Sequence, residues 1–296
     1  MTRGSCFGAL LTSALLVACG ETHVTLLEPI VGVPDAGAPI DAALGADASS
    51  AGGSEGVGDA GSDGGSDAAT SPPLHIAHLI HRYSFDGEGT QVVDSVGSAD
   101  GSLLNGAVLD GAGHVTLDGK DDYVNLPNRL LSGLTDATLV AWLAWSGGHE
   151  WQRVFDFGST DAGEDMVGNA TSSLFLTPMA IPGPGPSTSF QTITQLFGSV
   201  DSETRFPELR VSVIAAVVDA TNQELRLYAA GMPLGKPGVA RSLALLSDDN
   251  NWLGRSQWIQ DTYLRGTYDE FRIYDKALSD AELAALESAG ADVLAP

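Results

Sequence analysis

Basic side chains are scarce in this chain. Lys and Arg together number 14 against 38 Asp and Glu, giving a formal net charge of -24 over 296 residues. That balance argues against nucleic acid as a partner and against electrostatic adhesion to anionic lipid, since both call for a basic footprint. It suits a solvated, exported surface, and acidic side chains able to hold Ca²⁺. Cysteine is rarer still: the 2 Cys are Cys6 and Cys19. If the segment holding Cys6 is removed as a signal, one Cys is left. No intrachain disulfide is then possible, and stability must come from a core or a metal. The apolar run from Phe7 to Ala18 is too short to cross a bilayer as a mature helix.

What is present begins with a targeting pattern: Arg3, then the apolar run, then Leu16-Val17-Ala18-Cys19. These four residues resemble the bacterial lipobox. That resemblance implies cleavage of residues 1–18 and a diacylglycerol on the sulfur of Cys19, holding the chain at a membrane; an ordinary secretory signal is the plainer alternative. Gly20 and Glu21 do not read as an inner-membrane retention signal, so the bacterial cell envelope, and its outer membrane in particular, is the expected location. Residues 19–73 are dominated by Ala, Gly, Ser and Asp. They offer almost no aliphatic bulk to offset the entropy of ordering and are expected to form a disordered acidic linker.

From about Leu74 the composition changes. Aromatics appear, and short apolar alternations are punctuated by Gly, Asp and Asn. His81 to Phe85 alternates. Gly113–Leu117 and Asp122–Leu126 read as two strands across the turn Asp118–Asp121. Thr138–Trp145 carries large side chains on both faces and reads as central. Trp151 to Phe157 is expected to set Trp151, Arg153, Phe155 and Phe157 on one face, and Val211–Val218 reads as buried on both sides. Ser279-Asp280-Ala281-Glu282 is a capping box, Leu283 and Leu286 give the following helix an apolar face, and Gly290 ends it. Ile181 to Pro186 alternates Pro and Gly and reads as a long rim loop. Residues 74–296 are therefore expected to fold as an all-β, two-sheet antiparallel jelly-roll sandwich with a short C-terminal helix.

Asn251-Trp252-Leu253-Gly254-Arg255-Ser256, Gly266 to Tyr274 and the helix from Ser279 together resemble the C-terminal signature of laminin-G-like, concanavalin A-like domains. Tyr83 to Gly87 is similar to the first strand of that family, Asp122 to Leu126 to its early hairpin, and Trp151 to Gly158 to its mid-domain strand. The resemblance implies that the last strand pairs near the first and that the helix covers an edge or end of the sheets. It leaves function open, because the fold hosts lectins, adhesion modules and enzymes.

The residue types present bear on three chemistries. The resemblance implies a structural Ca²⁺ between first and last strands, for which Asp86 and Asp269 are the candidate ligands; solvated turn carboxylates are the plainer reading, and Asp121 with Asp122 is a weaker pair. A carbohydrate site needs an aromatic face with polar groups around it. Trp258 with Arg255 and Tyr263 is the first such cluster, and Trp151 with His149 and Arg153 the second. Both arginines have a structural alternative, pairing with Asp156 or Asp269, and Trp142, Trp145 and Trp252 read as core. Catalysis has no support in spacing: the Glu-x-Asp-x-x-Glu pattern of related glucanases, a zinc spacing and a phosphate loop are all missing. Gly52 to Gly56 fits Gly-x-Ser-x-Gly in letters only, and His75, His78 and His81 read as an accidental series. The sequence thus points to a non-catalytic, lipid-anchored binding domain for carbohydrate. An envelope-protein adhesion module is the second reading, and a degenerate glycoside hydrolase the third.

Overall fold

A computed structural model describes residues 76–181, 188–193 and 198–294. Residues 1–18, read as a signal, and residues 19–73, read as a linker and including Cys19 and Gly52 to Gly56, lie outside the described residues, as do His75 and Pro182 to Pro186. In chain order the strands are β1 (Leu79–Tyr83), β2 (Glu88–Gly89), β3 (Gln91–Val92), β4 (Gly101–Leu104), β5 (Leu109–Asp110) and β6 (Val115–Asp118). Then follow β7 (Tyr123–Leu126), β8 (Ala137–Trp145), β9 (Phe155–Thr160), β10 (Ala170–Thr177), β11 (Thr188–Ile193) and β12 (Gly198–Ser202). The set ends with β13 (Ser212–Asp219), β14 (Glu224–Ala229), β15 (Met232–Gly238), β16 (Asn250–Leu253) and β17 (Arg265–Tyr274), before helix α1 (Asp280–Ala289).

Two antiparallel sheets result. One is ordered β15-β14-β13-β8-β17-β6-β5-β2, with β1 also on β17; the other is ordered β12-β11-β10-β9-β16-β7-β4-β3. The first sheet directs Leu139, Leu143, Ile214 and Ile273 into the space between the layers, and the second directs Phe155, Phe157, Leu174 and Leu253 there. The expected sandwich is present, and so is the junction of its ends: Tyr83 pairs with Phe271 and Arg82 with Arg272 across β1 and β17.

The apolar character of both faces of β8 and β13 has a simple cause. Val140, Trp142, Ala215 and Val217 point away from the sandwich, and Leu283 and Leu286 of α1 pack on them together with Tyr228 and Tyr274. The helix therefore covers the outer face of the larger sheet and not an edge or end, which corrects the expectation. Its capping box is formed: Ser279 accepts from the Glu282 amide while Glu282 accepts from the Ser279 amide. Gly290 closes it at φ 85, a conformation that disfavours a Cβ.

Two further expectations are corrected. The strands flanking Asp118–Asp121 form, but they do not pair with each other: β6 joins β17 in one sheet and β7 joins β16 in the other. The turn is a crossing between layers, held by the Asp118 amide donating to the Asp122 carboxylate at 3.2 Å. The stretch from Trp151 to Phe157 also lacks one continuous parity. Trp151 has φ 63 and β9 begins only at Phe155, so Val154 and Phe155 both enter the core while Arg153 does not share their side.

Candidate functional site

The outer face of the smaller sheet carries an unusual row. Directly paired residues share a face. Register sets Asn125 of β7 beside Trp252 of β16, Trp252 beside Asp156 of β9, Asp156 beside Phe175 of β10, and Phe175 beside Gln191 of β11. Apart from Asn125 and Gln191, these side chains are buried although they face away from the core, so something must cover them. Segments 146–154 and 254–264 supply that cover.

Arg153 organises one end. Its guanidinium is buried and lies 4.1 Å from the Phe175 ring centroid, 5.3 Å from Trp258 and 5.8 Å from Trp151. Its Nε donates to Asp156 at 3.2 Å, Nη2 to Asp261 at 2.6 Å and Nη1 to the Trp151 carbonyl at 2.7 Å. The last bond, with the Trp151 amide donating to the Met179 carbonyl at 2.8 Å, holds a bulky residue in the left-handed region. Trp258 meets Phe175 edge-on at 5.5 Å, and its amide donates to Ser256 Oγ, which in turn donates to Asp261. Trp151, Trp258, Gln191, Gln260 and Asp261 rim an open depression of about 320 Å³ over Phe175 and Arg153. Burial pushes the Asp261 carboxyl up, against the pull of Arg153 and Ser256. Asp156 lies fully buried beneath and is pushed up to about 6 by burial, opposed by Arg153, by the Ser173 hydroxyl and by the Gln257 amide.

The other end is built on Arg255. Its guanidinium stacks 4.1 Å from Trp252 and 4.5 Å from Tyr123, and Tyr123 in turn lies 6.4 Å from Tyr263. Nη2 donates to the Asp165 carbonyl at 3.2 Å.

The five sequence candidates are thus regrouped. Trp258 joins Trp151 and Arg153, whereas Arg255 and Tyr263 form a neighbouring group with Tyr123 and Trp252. Arg153 is a buried support, paired with Asp156 as its structural alternative held. Arg255 has no bond to Asp269, whose nearest basic neighbour is His114 at 3.8 Å. His149 is exposed and does not line the depression. Trp145 belongs to the core between the layers, Trp142 lies under α1, and Trp252 is buried on the outer face. Sequence reasoning missed Phe175, Gln191, Gln260 and Asp261. The alternation of Leu174, Phe175 and Leu176 sets one large ring opposite two core leucines and was the available signal for the first. Nothing marks the other three before the register is known.

Asp86 and Asp269 offer the hard oxygen donors that Ca²⁺ takes, yet their neighbours differ: Asp86 accepts from the Ser84 hydroxyl at 2.6 Å, and Asp269 faces His114. Among the described residues, the one group of three such side chains with ligand atoms mutually within 4.8 Å is Asp118, Asp121 and Asp122. There Lys120 already sits 2.8 Å from Asp118. The calcium expectation keeps only the family resemblance behind it.

A family model described as the concanavalin A-like lectin/glucanases superfamily matches residues 118–284, more than half of the chain. No curated protein matches the sequence. Among solved structures, domain 4 of AbnA is similar; this is an extracellular arabinanase of glycoside hydrolase family 43 from Geobacillus stearothermophilus, in complex with arabinotriose. Identity is 17%, the TM-score 0.54, and the match covers 70% of this chain and 97% of that one. Trypanosoma rangeli sialidase is similar at 15% identity and a TM-score of 0.53, covering 72% of this chain and 33% of its own. The chain therefore spans about a third of the sialidase, and at these identities the likeness is one of fold.

Proposed function

The chain belongs to the concanavalin A-like lectin/glucanases superfamily, and from that premise we propose that it is a non-catalytic carbohydrate-binding protein, lipid-anchored through Cys19 in a bacterial envelope. The observation that carries the reading is the depression walled by Trp151 and Trp258. A half-buried indole offers the apolar face that packs on a sugar ring, and Gln191, Gln260 and Asp261 offer amide and carboxylate groups for its hydroxyls. The arabinanase domain in complex with arabinotriose is a precedent for this fold beside a sugar.

The same geometry favours binding over hydrolysis. Glycoside cleavage commonly uses two carboxyl groups on either side of the scissile bond. Among the described residues, Asp261 is the one carboxyl group that reaches the rim of this depression, since Asp156 is fully buried below Arg153. In this reading residues 19–73 space the domain from the membrane, and the envelope location follows from the lipid on Cys19.

A glycan array on the full chain tests the proposal, with Trp258→Ala beside it. Removing a central aromatic anchor is expected to weaken affinity at least 30-fold, equivalent to roughly 2 kcal/mol. Capture of an envelope protein with no glycan bound would transfer the site to the adhesion reading, and turnover of a polysaccharide would restore the hydrolase one. Calcium at Asp86 and Asp269 is the remaining part of the proposal. Chelation is expected to lower the melting temperature if the ion ties the strands, and an unchanged value removes it.

A further inference from the structure

The two arginines of the outer face differ in one respect that bears on the ligand. Arg153 is matched by two carboxylates, Asp156 and Asp261. Arg255 is 8% exposed and has no carboxylate partner among the described residues. Its Nε and Nη1 have no hydrogen-bond partner there either, and its single acceptor is the neutral carbonyl of Asp165. A buried guanidinium without a counter-charge is costly, and the natural remedy is an anion from outside. The overall acidity of the chain acts weakly at this distance, because salt confines electrostatics to about 8 Å at physiological strength.

Position ties this cation to the depression. Trp252, on which Arg255 stacks, pairs with Asp156, and Asp156 pairs with Phe175 in the floor of the depression. Two strand spacings, about 9.5 Å, separate β16 from β10. Segment 254–264 runs from Arg255 to Trp258 and on to Tyr263. Tyr263 stays half-exposed beside Tyr123, so a second ring surface adjoins the guanidinium. The Asp165 carbonyl belongs to the exposed turn 161–166. Nε and Nη1 are closed to solvent, so a carboxylate reaches the guanidinium by displacing the Asp165 carbonyl, which exchanges a neutral hydrogen bond for a charge-assisted one and sets two oxygens on Nη1 and Nη2.

We infer that the ligand is an acidic oligosaccharide, one sugar of which stacks at Trp258 while the carboxylate of another pairs with Arg255. This rests on the carbohydrate reading of the same face and adds the charge and the minimum length of the chain. Arg255 is a specificity determinant in this scheme, and Trp258 the general anchor.

The test is an array of neutral glycans, their uronate- and sialate-bearing counterparts and sulfated ones, probed with the full chain, with Arg255→Gln, with Arg255→Lys and with Trp258→Ala. Carboxylated glycans are expected to bind about tenfold or more tighter than neutral counterparts. Arg255→Gln is expected to erase that ratio while neutral binding persists, and Arg255→Lys to keep part of it. The ratio is insensitive to a general loss of folded protein, since both ligands sample the same preparation. Equal affinity for neutral and carboxylated chains, a preference that survives Arg255→Gln, or a preference for sulfated over carboxylated chains each overturns the inference. Absence of binding to every glycan instead overturns the carbohydrate reading beneath it.

Discussion

An Arg153→Met chain is expected to lose about 3–5 kcal/mol of stability at pH 7, the usual cost of stripping one partner from a buried ion pair. Methionine keeps the apolar stem over Phe175 and Trp258 but removes the charge. What remains is Asp156, fully buried, with only the Ser173 hydroxyl at 2.5 Å and the Gln257 amide at 3.0 Å to stabilise its ionised form. The pH dependence identifies the cause. In the intact protein burial already pushes Asp156 up to about 6, against roughly 3.9 in an unfolded chain. Between those values the native state binds more protons, so this group's contribution to stability falls as pH rises from about 4 to about 6. Without Arg153 the carboxyl moves higher again, and the destabilisation extends above pH 6. The gap between the two proteins should therefore narrow from pH 7 to pH 5, where Asp156 is neutral in both and the lost guanidinium no longer has a charge to offset. Urea unfolding at both pH values checks this, and an equal gap at both would assign the loss to packing. The Trp151 carbonyl and Asp261 lose a donor in the same change, so glycan affinity should also fall in protein that is still folded.

This coupling of support and surface explains why the site was less legible than the fold. Strand periodicity is local, so Thr138–Trp145 and Val211–Val218 could be read directly from their side chains. So could the capping box, whose two bonds span four residues. The helix position could not, because nothing in Leu283 and Leu286 says which apolar surface they meet; the answer lay in Val140, Trp142 and Val217, which had no other cover. The turn at Asp118–Asp121 reads alike whether its strands pair or part. Trp258 reads from the sequence as a candidate sugar-stacking aromatic, but its partners depend on which strand lies beside β9. That register places Phe175 and Asp156 under it and moves Arg255 and Tyr263 to the adjoining group. Asp261 has no periodic signal at all. It matters because Arg153, 108 residues away, donates to it.

The head-to-tail junction carries the second large effect. Glu270 of β17 is buried and accepts from Arg82 Nε at 2.7 Å and Nη2 at 2.9 Å, and from Arg272 Nε on its own strand. Both arginines also donate to the Ala291 carbonyl beyond α1, and the Arg272 guanidinium lies 4.7 Å from the Trp142 ring. The bond to Glu270 is the largest cause holding Arg82 above its ordinary range. Glu270→Ala would leave the buried Arg272 and the part-buried Arg82 facing each other, and is expected to cost about 3–5 kcal/mol. The cost belongs to the unpaired charges and not to the loss of an attractive cluster, because desolvating three ions consumes most of what their attraction returns. A triple replacement, Arg82→Met with Glu270→Leu and Arg272→Met, should accordingly be far less damaging than the single change, within about 1–2 kcal/mol of the parent; the lost cation–π contact and the Ala291 carbonyl left without donors account for the remainder. Urea unfolding of the parent, the single and the triple variants decides the matter. If the triple falls as far as the single, the cluster holds the chain ends by its specific hydrogen bonds, and charge balance is not what the first and last strands require.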